Sequence, residues 1–215
     1  GGISVMDRNT WKWQSVTVKD GLPSNEAKAV VLDGDDVWIG SRGNNITRYN
    51  LRTRQTRVFT DTDAKGLSIA EVFGASHREP HIWFATDNGI YRYSKPDGAW
   101  WTFAPAVQRG KTDMFASLTD AFGLRLVDSN IQAIASNQEF VYFGTPPGIS
   151  RYQKSTGNWV NYTERDGLAN SNVRALAVDD YDLWAATESG MSHYDFVADE
   201  WRTFTIDTQS PLITI

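Results

Sequence analysis

One stretch of sequence recurs along this chain at a nearly fixed interval. A chain built that way folds as stacked copies of one supersecondary unit. Four ungapped segments run from a Leu to an aromatic residue sixteen positions later: Leu22 to Trp38, Leu67 to Trp83, Leu126 to Tyr142 and Leu168 to Trp184. Each aromatic opens the pattern aromatic, apolar, small, hydroxyl. The copies read Trp38-Ile39-Gly40-Ser41, Trp83-Phe84-Ala85-Thr86, Tyr142-Phe143-Gly144-Thr145 and Trp184-Ala185-Ala186-Thr187. A second element follows in five copies. These are Gly2-Ile3-Ser4-Val5-Met6, Asn45-Ile46-Thr47-Arg48-Tyr49, Gly89-Ile90-Tyr91-Arg92-Tyr93, Gly148-Ile149-Ser150-Arg151-Tyr152 and Gly190-Met191-Ser192-His193-Tyr194. Seven residues after its last position stands Trp13, Thr56, Trp100, Trp159 or Trp201. Three further on stands Val16, Phe59, Phe103, Tyr162 or Phe204.

Each unit reads as four short strands, illustrated by Ala27–Leu32, Val37–Ser41, Asn45–Asn50 and Thr56–Thr60. β-branched and aromatic residues fill the strands, and Gly, Asn, Asp and Pro mark the joints. Asp33-Gly34-Asp35-Asp36 and Asp179-Asp180-Tyr181-Asp182 fit tight hairpin turns. A four-stranded antiparallel unit of about 42–45 residues has the size of one β-propeller blade. No segment sustains a 3.6-residue period, which excludes helical repeats. The expected fold is therefore all-β, a β-propeller with four complete four-stranded blades of about 42–59 residues and an N-terminal half blade. The half blade takes residues 1–21, the blades approximately 22–66, 67–125, 126–167 and 168–207, and a tail 208–215 follows. The half blade lacks its first two strands. The chain is then a segment of a longer propeller, or Pro211–Ile215 makes a partial clasp, or another chain completes the ring.

Composition narrows the function classes. With 21 Lys and Arg against 26 Asp and Glu, the net charge of −5 disfavours nonspecific nucleic-acid binding. Cysteine is absent, so disulfide scaffolds and Cys-ligated metal sites are excluded. No run of about 18 apolar residues occurs, and no membrane insertion by this chain is expected. The chain opens Gly1-Gly2-Ile3-Ser4-Val5 without an initiator Met, as it would after removal of a leader. The 13% of aromatic residues is expected to be blade packing, with Trp38, Trp83, Tyr142 and Trp184 as inter-blade core. Small residues recur at Ala29, Gly74, Ala133 and Ala175. Their counterparts Gly40, Ala85, Gly144 and Ala186 are expected to make room for a neighbouring blade's large rings. Arg48, Arg92 and Arg151 read as stems covering a blade edge with their heads in water.

The segment Asp166-Gly167-Leu168-Ala169-Asn170-Ser171-Asn172-Val173, followed by Asp182-Leu183-Trp184, resembles the two-component-regulator propeller repeat. Asp20-Gly21-Leu22-Pro23-Ser24-Asn25, with Asp36-Val37-Trp38-Ile39-Gly40, carries the same signature. The resemblance covers essentially the whole chain outside residues 104–125, and the second blade, with Gly66-Leu67-Ser68-Ile69-Ala70, departs most from it. It implies a non-enzymatic, periplasmic or extracellular sensor module, several relatives of which sense carbohydrate fragments. Other members use the repeat as an interaction scaffold. No kinase, linker domain or membrane segment lies within this chain.

Propeller ligands sit on the face carrying the loops between strands two and three and between blades. The candidate ligand-binding residues there are Arg42, Asn44, Asp87, Asn88 and Glu188, since loops that differ on a repeating scaffold are where a site is grafted. An insertion at 104–125 lengthens one inter-blade connection, Phe103 to Leu126, to 23 residues where the others take 6 to 8. It adds Arg109, Lys111 and Phe115 as candidates, with a short helix expected over Ala116–Phe122. Trp11 and Trp101 fall outside the register beside Trp13 and Trp100. Strand alternation directs one of each pair to the opposite face, making Trp11 and Trp101 candidate partner contacts. Neither a cofactor nor a metal is expected, because His77, His81 and His193 occupy different repeat positions and the acidic turns are too short for a Ca²⁺ loop. The expected function is recognition of a small-molecule or oligosaccharide ligand within a larger signalling or surface protein. A structural scaffold docking a protein partner is the alternative, and a lyase-type propeller enzyme a weaker one.

Overall fold

A computed structural model describes residues 1–41, 43, 45–60, 72–78, 80–86, 89–103, 128 and 130–205. Eighteen strands are assigned among them. A two-stranded sheet pairs β1 (Ile3–Met6) with β2 (Trp13–Val16). Four meanders of four strands follow. Blade one is β3 (Ala27–Asp33), β4 (Asp36–Ser41), β5 (Asn45–Asn50) and β6 (Thr56–Phe59); blade two is β7 (Val72–Arg78), β8 (His81–Thr86), β9 (Gly89–Ser94) and β10 (Ala99–Phe103). Blade three is β11 (Ala133–Ser136), β12 (Phe140–Thr145), β13 (Gly148–Gln153) and β14 (Trp159–Tyr162); blade four is β15 (Val173–Val178), β16 (Asp182–Thr187), β17 (Gly190–Asp195) and β18 (Glu200–Phe204). The chain divides into two compact units, Gly1–Thr102 and Phe103–Ile215.

In the first unit, β3 packs on β7, and in the second β11 packs on β15. Trp38 of blade one is fully buried, its ring 4.8 Å from Tyr93 and 6.1 Å from Phe84 of blade two. Tyr142 of blade three stacks on Phe196 of blade four at 6.2 Å. Trp83 is buried, whereas Trp184 is half-buried and stacks within its own blade on His193 and Phe204. The space beside Gly40 and Gly144 takes a branched aliphatic residue, not the expected large ring. A β-carbon on Gly40 would lie 2.4 Å from Val72 Cγ1, and one on Gly144 2.7 Å from Val173 Cγ1. The innermost strands crowd together so closely that Val72 and Val173 fill the space that the glycines leave.

The connection from one blade to the next is built twice in the same way. Thr17 and Thr163 each begin a one-turn 3₁₀ helix, Val18–Asp20 and Glu164–Asp166, closed by a capping box. Thr163 N and Oγ1 donate to Asp166 Oδ2 at 2.8 and 3.0 Å, and Thr17 does the same to Asp20 at 2.9 and 3.2 Å. The helices end at Gly21 and Gly167 in the left-handed region, φ +95° and +117°. The chain then inserts Leu22 between the half blade (Ile3, Val16) and blade one (Val37, Ile39, Tyr49), and Leu168 between Ile149 and Tyr162 of blade three and Leu183 of blade four. Each burial stabilises by about 1.5–3 kcal/mol. This is why the Leu anchors the sequence register.

Candidate functional site

The strand-two hydroxyl of the repeat closes its own hairpin. Thr145 Oγ1 donates to the carbonyl of Gly148 at 2.9 Å and Thr187 Oγ1 to that of Gly190 at 2.8 Å. These hairpins hold the turns of the expected ligand face in one geometry while leaving the turn residues free to vary.

A second device recurs at the start of the innermost strand. The pairing of β3 with β4 skips Lys28, between Ala27↔Ser41 and Ala29↔Gly40; that of β7 with β8 skips Phe73, and that of β15 with β16 skips Arg174. All three stand six residues after the register Leu. Such a bulge takes one residue out of the register of the ladder. In blade three the same position is Gln132, whose amide donates to the carbonyl of Gly144 at 2.8 Å just before β11 begins. The position thus carries Lys28, Phe73, Gln132 and Arg174 between neighbours that are small or branched.

In the second unit these groups converge. Arg174 donates through Nη1 to Gln132 Oε1 at 3.1 Å and through Nη2 to Glu188 Oε1, with which it forms an ion pair. The Glu188 amide is anchored to the carbonyl of Asn172 at 3.2 Å. Hydrogen bonding from Arg174, reinforced by its charge and the Asn172 side chain, holds the Glu188 carboxyl below its ordinary range. Asn172 Oδ1 is buried without a hydrogen-bond partner. The result is an exposed cluster of amide, guanidinium and carboxylate groups, with donors and acceptors alternating across blades three and four. Such a surface suits a polar ligand rich in hydroxyls or a charged group.

Of the residues expected from sequence to bind ligand, Glu188 falls in this cluster. Arg42, Asn44, Asp87, Asn88, Arg109, Lys111 and Phe115 lie outside the described residues, as do the helix expected at Ala116–Phe122 and the tail 208–215. Gln132 and Arg174 were missed. Their signal was present, as one repeat position that changes character in every blade while both flanks stay conservative.

Trp101 is 52% exposed, with the Arg92 guanidinium 5.2 Å from its ring, while Trp100 packs inward on Phe59, Phe84 and Tyr93. Trp11 and Trp13 do not alternate. Trp11 closes the turn at φ +56° and precedes β2, so both indoles are exposed, at 73% and 69%. The repeat arginines differ from the expected solvated heads. Each is the cross-strand partner of the strand-two aromatic, so its head lies against rings or a carboxylate. Arg48 pairs with Asp36 at 2.6 Å over Trp38, Arg92 lies between Trp83 and Trp101, and Arg151 between Phe140 and Tyr162. His193 occupies the equivalent position in blade four, stacked on Trp184 at 4.2 Å and bonded to Asp182 at 2.5 Å. It repeats the Asp36–Arg48–Trp38 arrangement, and so packing explains its place. Among the described residues no group of three or more His, Asp or Glu is placed to hold a metal ion.

Solved structures share these blades. The chain is similar to the extracellular domain of the B. thetaiotaomicron hybrid two-component system BT4673, at 19% identity and a TM-score of 0.66 over 97% of this chain and 26% of that one. The fold is a β-propeller. Similar too is the extracellular domain of the B. thetaiotaomicron hybrid two-component system BT3049, at 14% identity and a TM-score of 0.65, covering 92% of this chain and 27% of that one. PorZ, an essential surface component of the type-IX secretion system of Porphyromonas gingivalis, matches at 10% identity and a TM-score of 0.59, covering 94% and 24%. The chain therefore spans about a quarter of the length of each. No family model matches the chain, and no curated protein matches its sequence. No helix among the described residues is long and apolar enough to cross a membrane.

Proposed function

We propose that this chain is a non-enzymatic recognition module that works outside the cytoplasm as part of a larger sensing protein, with an oligosaccharide as its ligand. The observation that carries the reading is the cluster Gln132, Arg174 and Glu188. Three polar side chains converge there from a bulge, a strand start and a hairpin turn, on a scaffold whose other positions repeat. The likeness to extracellular domains of two-component systems supports the sensing context. The alternating donors and acceptors support a hydroxyl-bearing ligand over an apolar one.

The test is calorimetric titration with a panel of neutral and acidic oligosaccharides, repeated on Arg174→Ala and Glu188→Ala. Saturable binding weakened by about tenfold or more in either variant supports the site. Binding that both variants leave unchanged overturns it. A second reading, a scaffold that docks a protein partner, has support in the likeness to the secretion-system surface component PorZ and in the exposed Trp11 and Trp101.

A further inference from the structure

One hairpin of blade one is out of keeping with the charge of the chain. From Asn45 to Phe59, β5, β6 and the turn joining them carry Arg48, Arg52, Arg54 and Arg57 and no acidic residue, in a protein whose net charge is −5. The equivalent hairpin of blade four, Gly190 to Phe204, sets a single arginine against Asp195, Asp199 and Glu200. Two of the four blade-one arginines are answered from the turn between β3 and β4. Arg48 pairs with Asp36 at 2.6 Å, and Arg52 with Asp35 at 3.4 Å.

Arg57 stands where the ladder least favours a cation. It is the cross-strand partner of Arg48, and like charges directly opposite each other weaken a strand pair. The other blades are built differently. Trp101 lies against Arg92 in blade two, Val160 pairs with Arg151 in blade three, and in blade four Arg202 faces His193, itself bonded to Asp182. The two blade-one guanidiniums rest on a common aromatic floor. Arg48 lies 5.8 Å from the Trp38 ring and Arg57 4.6 Å from that of Phe59, and these two rings stack at 5.5 Å. Both arginines line a cavity of about 440 Å³, together with Asp36, Asn50, Thr53 and Gln55. Asp36 places Oδ2 on Arg48 and accepts the Asn50 amide on Oδ1 at 2.8 Å, so one carboxylate stands against two guanidiniums. The cavity is positive on balance.

We propose that this cavity binds an oxyanion of the sulfate or phosphate class between Arg48 and Arg57. Such an anion turns the repulsion of two facing guanidiniums into charge-assisted hydrogen bonds, and their planar forks match its oxygens. Positions that break a local pairing rule on an otherwise repeating scaffold mark functional sites. The volume exceeds what a bare ion needs and leaves room for a molecule that carries the group, with the Gln55 amide and the Thr53 hydroxyl beside it. The site shares no residue with the cluster of Gln132, Arg174 and Glu188, and it stands or falls independently of that cluster.

The experiment follows the thermal midpoint of the chain against rising inorganic sulfate and inorganic phosphate, with sodium chloride at matched ionic strength as the reference. Three variants accompany the parent. Arg57→Val installs the residue that blade three carries at this position and is expected to fold. Arg57→Lys keeps the charge but removes the fork, and Arg202→Val changes the equivalent position of blade four. The expected result is a saturable rise beyond that in chloride, in the parent and in Arg202→Val alike. The apparent affinity should fall at least about tenfold in Arg57→Val and by a smaller factor in Arg57→Lys. Titration with glucose 6-phosphate and with glucose separates the two sources of the anion. Tighter binding of the sugar phosphate than of phosphate assigns a group borne on a larger molecule, and equal binding assigns the free ion. A rise that chloride reproduces overturns the proposal, as does one that Arg57→Val retains in full.

Discussion

Gly167 lies directly beneath Trp201. A β-carbon built on the glycine would fall 2.6 Å from Trp201 Cβ, and its φ of +117° disfavours any side chain. The connection between two blades is thus clamped by the outermost strand of the blade it leads into. The counterpart Gly21 faces Thr56, whose hydroxyl donates to the carbonyl of Asp20 at 3.0 Å.

Gly167→Ala combines backbone strain with a clash against a ring that cannot move outward without losing Tyr162 and Tyr194. It should destabilise the fold by about 2–4 kcal/mol. Gly34→Ala is the comparison, because Gly34 also has positive φ, +60°, but nothing lies within 4 Å of its added carbon. That variant should cost about 1 kcal/mol. Urea unfolding midpoints of the two variants check the order.

Gly40→Ala drives a methyl group into both branches of Val72, at 2.4 and 2.9 Å from its two Cγ atoms. Overpacking of this kind costs about 1–3 kcal/mol. Val72→Ala alone should also destabilise, by leaving a cavity. The double variant should lose less than the sum of the two, because the cavity receives the methyl group. A double-mutant cycle on unfolding free energies reads the coupling.

Asp36 links pH to stability. Burial alone would raise its pKa, but hydrogen bonds from Arg48 and Asn50, with the charge of Arg48, hold it below the ordinary carboxylate value. A carboxyl depressed in the folded state stabilises fully above its unfolded pKa of about 3.9, and that contribution is lost as pH falls through the lower folded value. Thermal denaturation of the parent should therefore fall steeply below about pH 4. In Asp36→Asn the midpoint should be lower at neutral pH, and the gap between the two proteins should narrow on acidification.

Much of this was legible in the residues themselves. The register from Leu22 to Trp38 marked where strands begin and that Trp38, Trp83 and Tyr142 would be buried, though not that Trp184 would be only half-buried, because a blade buries one face of every strand and cannot vary those positions independently. Asp33-Gly34-Asp35-Asp36 was read as a hairpin turn, and Asp33 pairs with Asp36 around Gly34 and Asp35. The site was less legible. Gln132 and Arg174 lie 42 residues apart and meet through Nη1 and Oε1 at 3.1 Å, a contact that no local pattern encodes. Trp11 and Trp13 looked like an alternating pair until the turn placed Trp11 at positive φ.

The chain's sequence determined the repeat, the all-β class, the four-stranded unit and the Leu anchor, since these follow from spacing and hydrophobic period alone. Tertiary structure decided what occupies the space between blades: Val72 against Gly40, and Trp201 over Gly167. The reason is physical. Periodicity specifies which face of a strand is buried, but the residue that meets that face arrives from the neighbouring blade, some forty positions away. Only close packing selects its size.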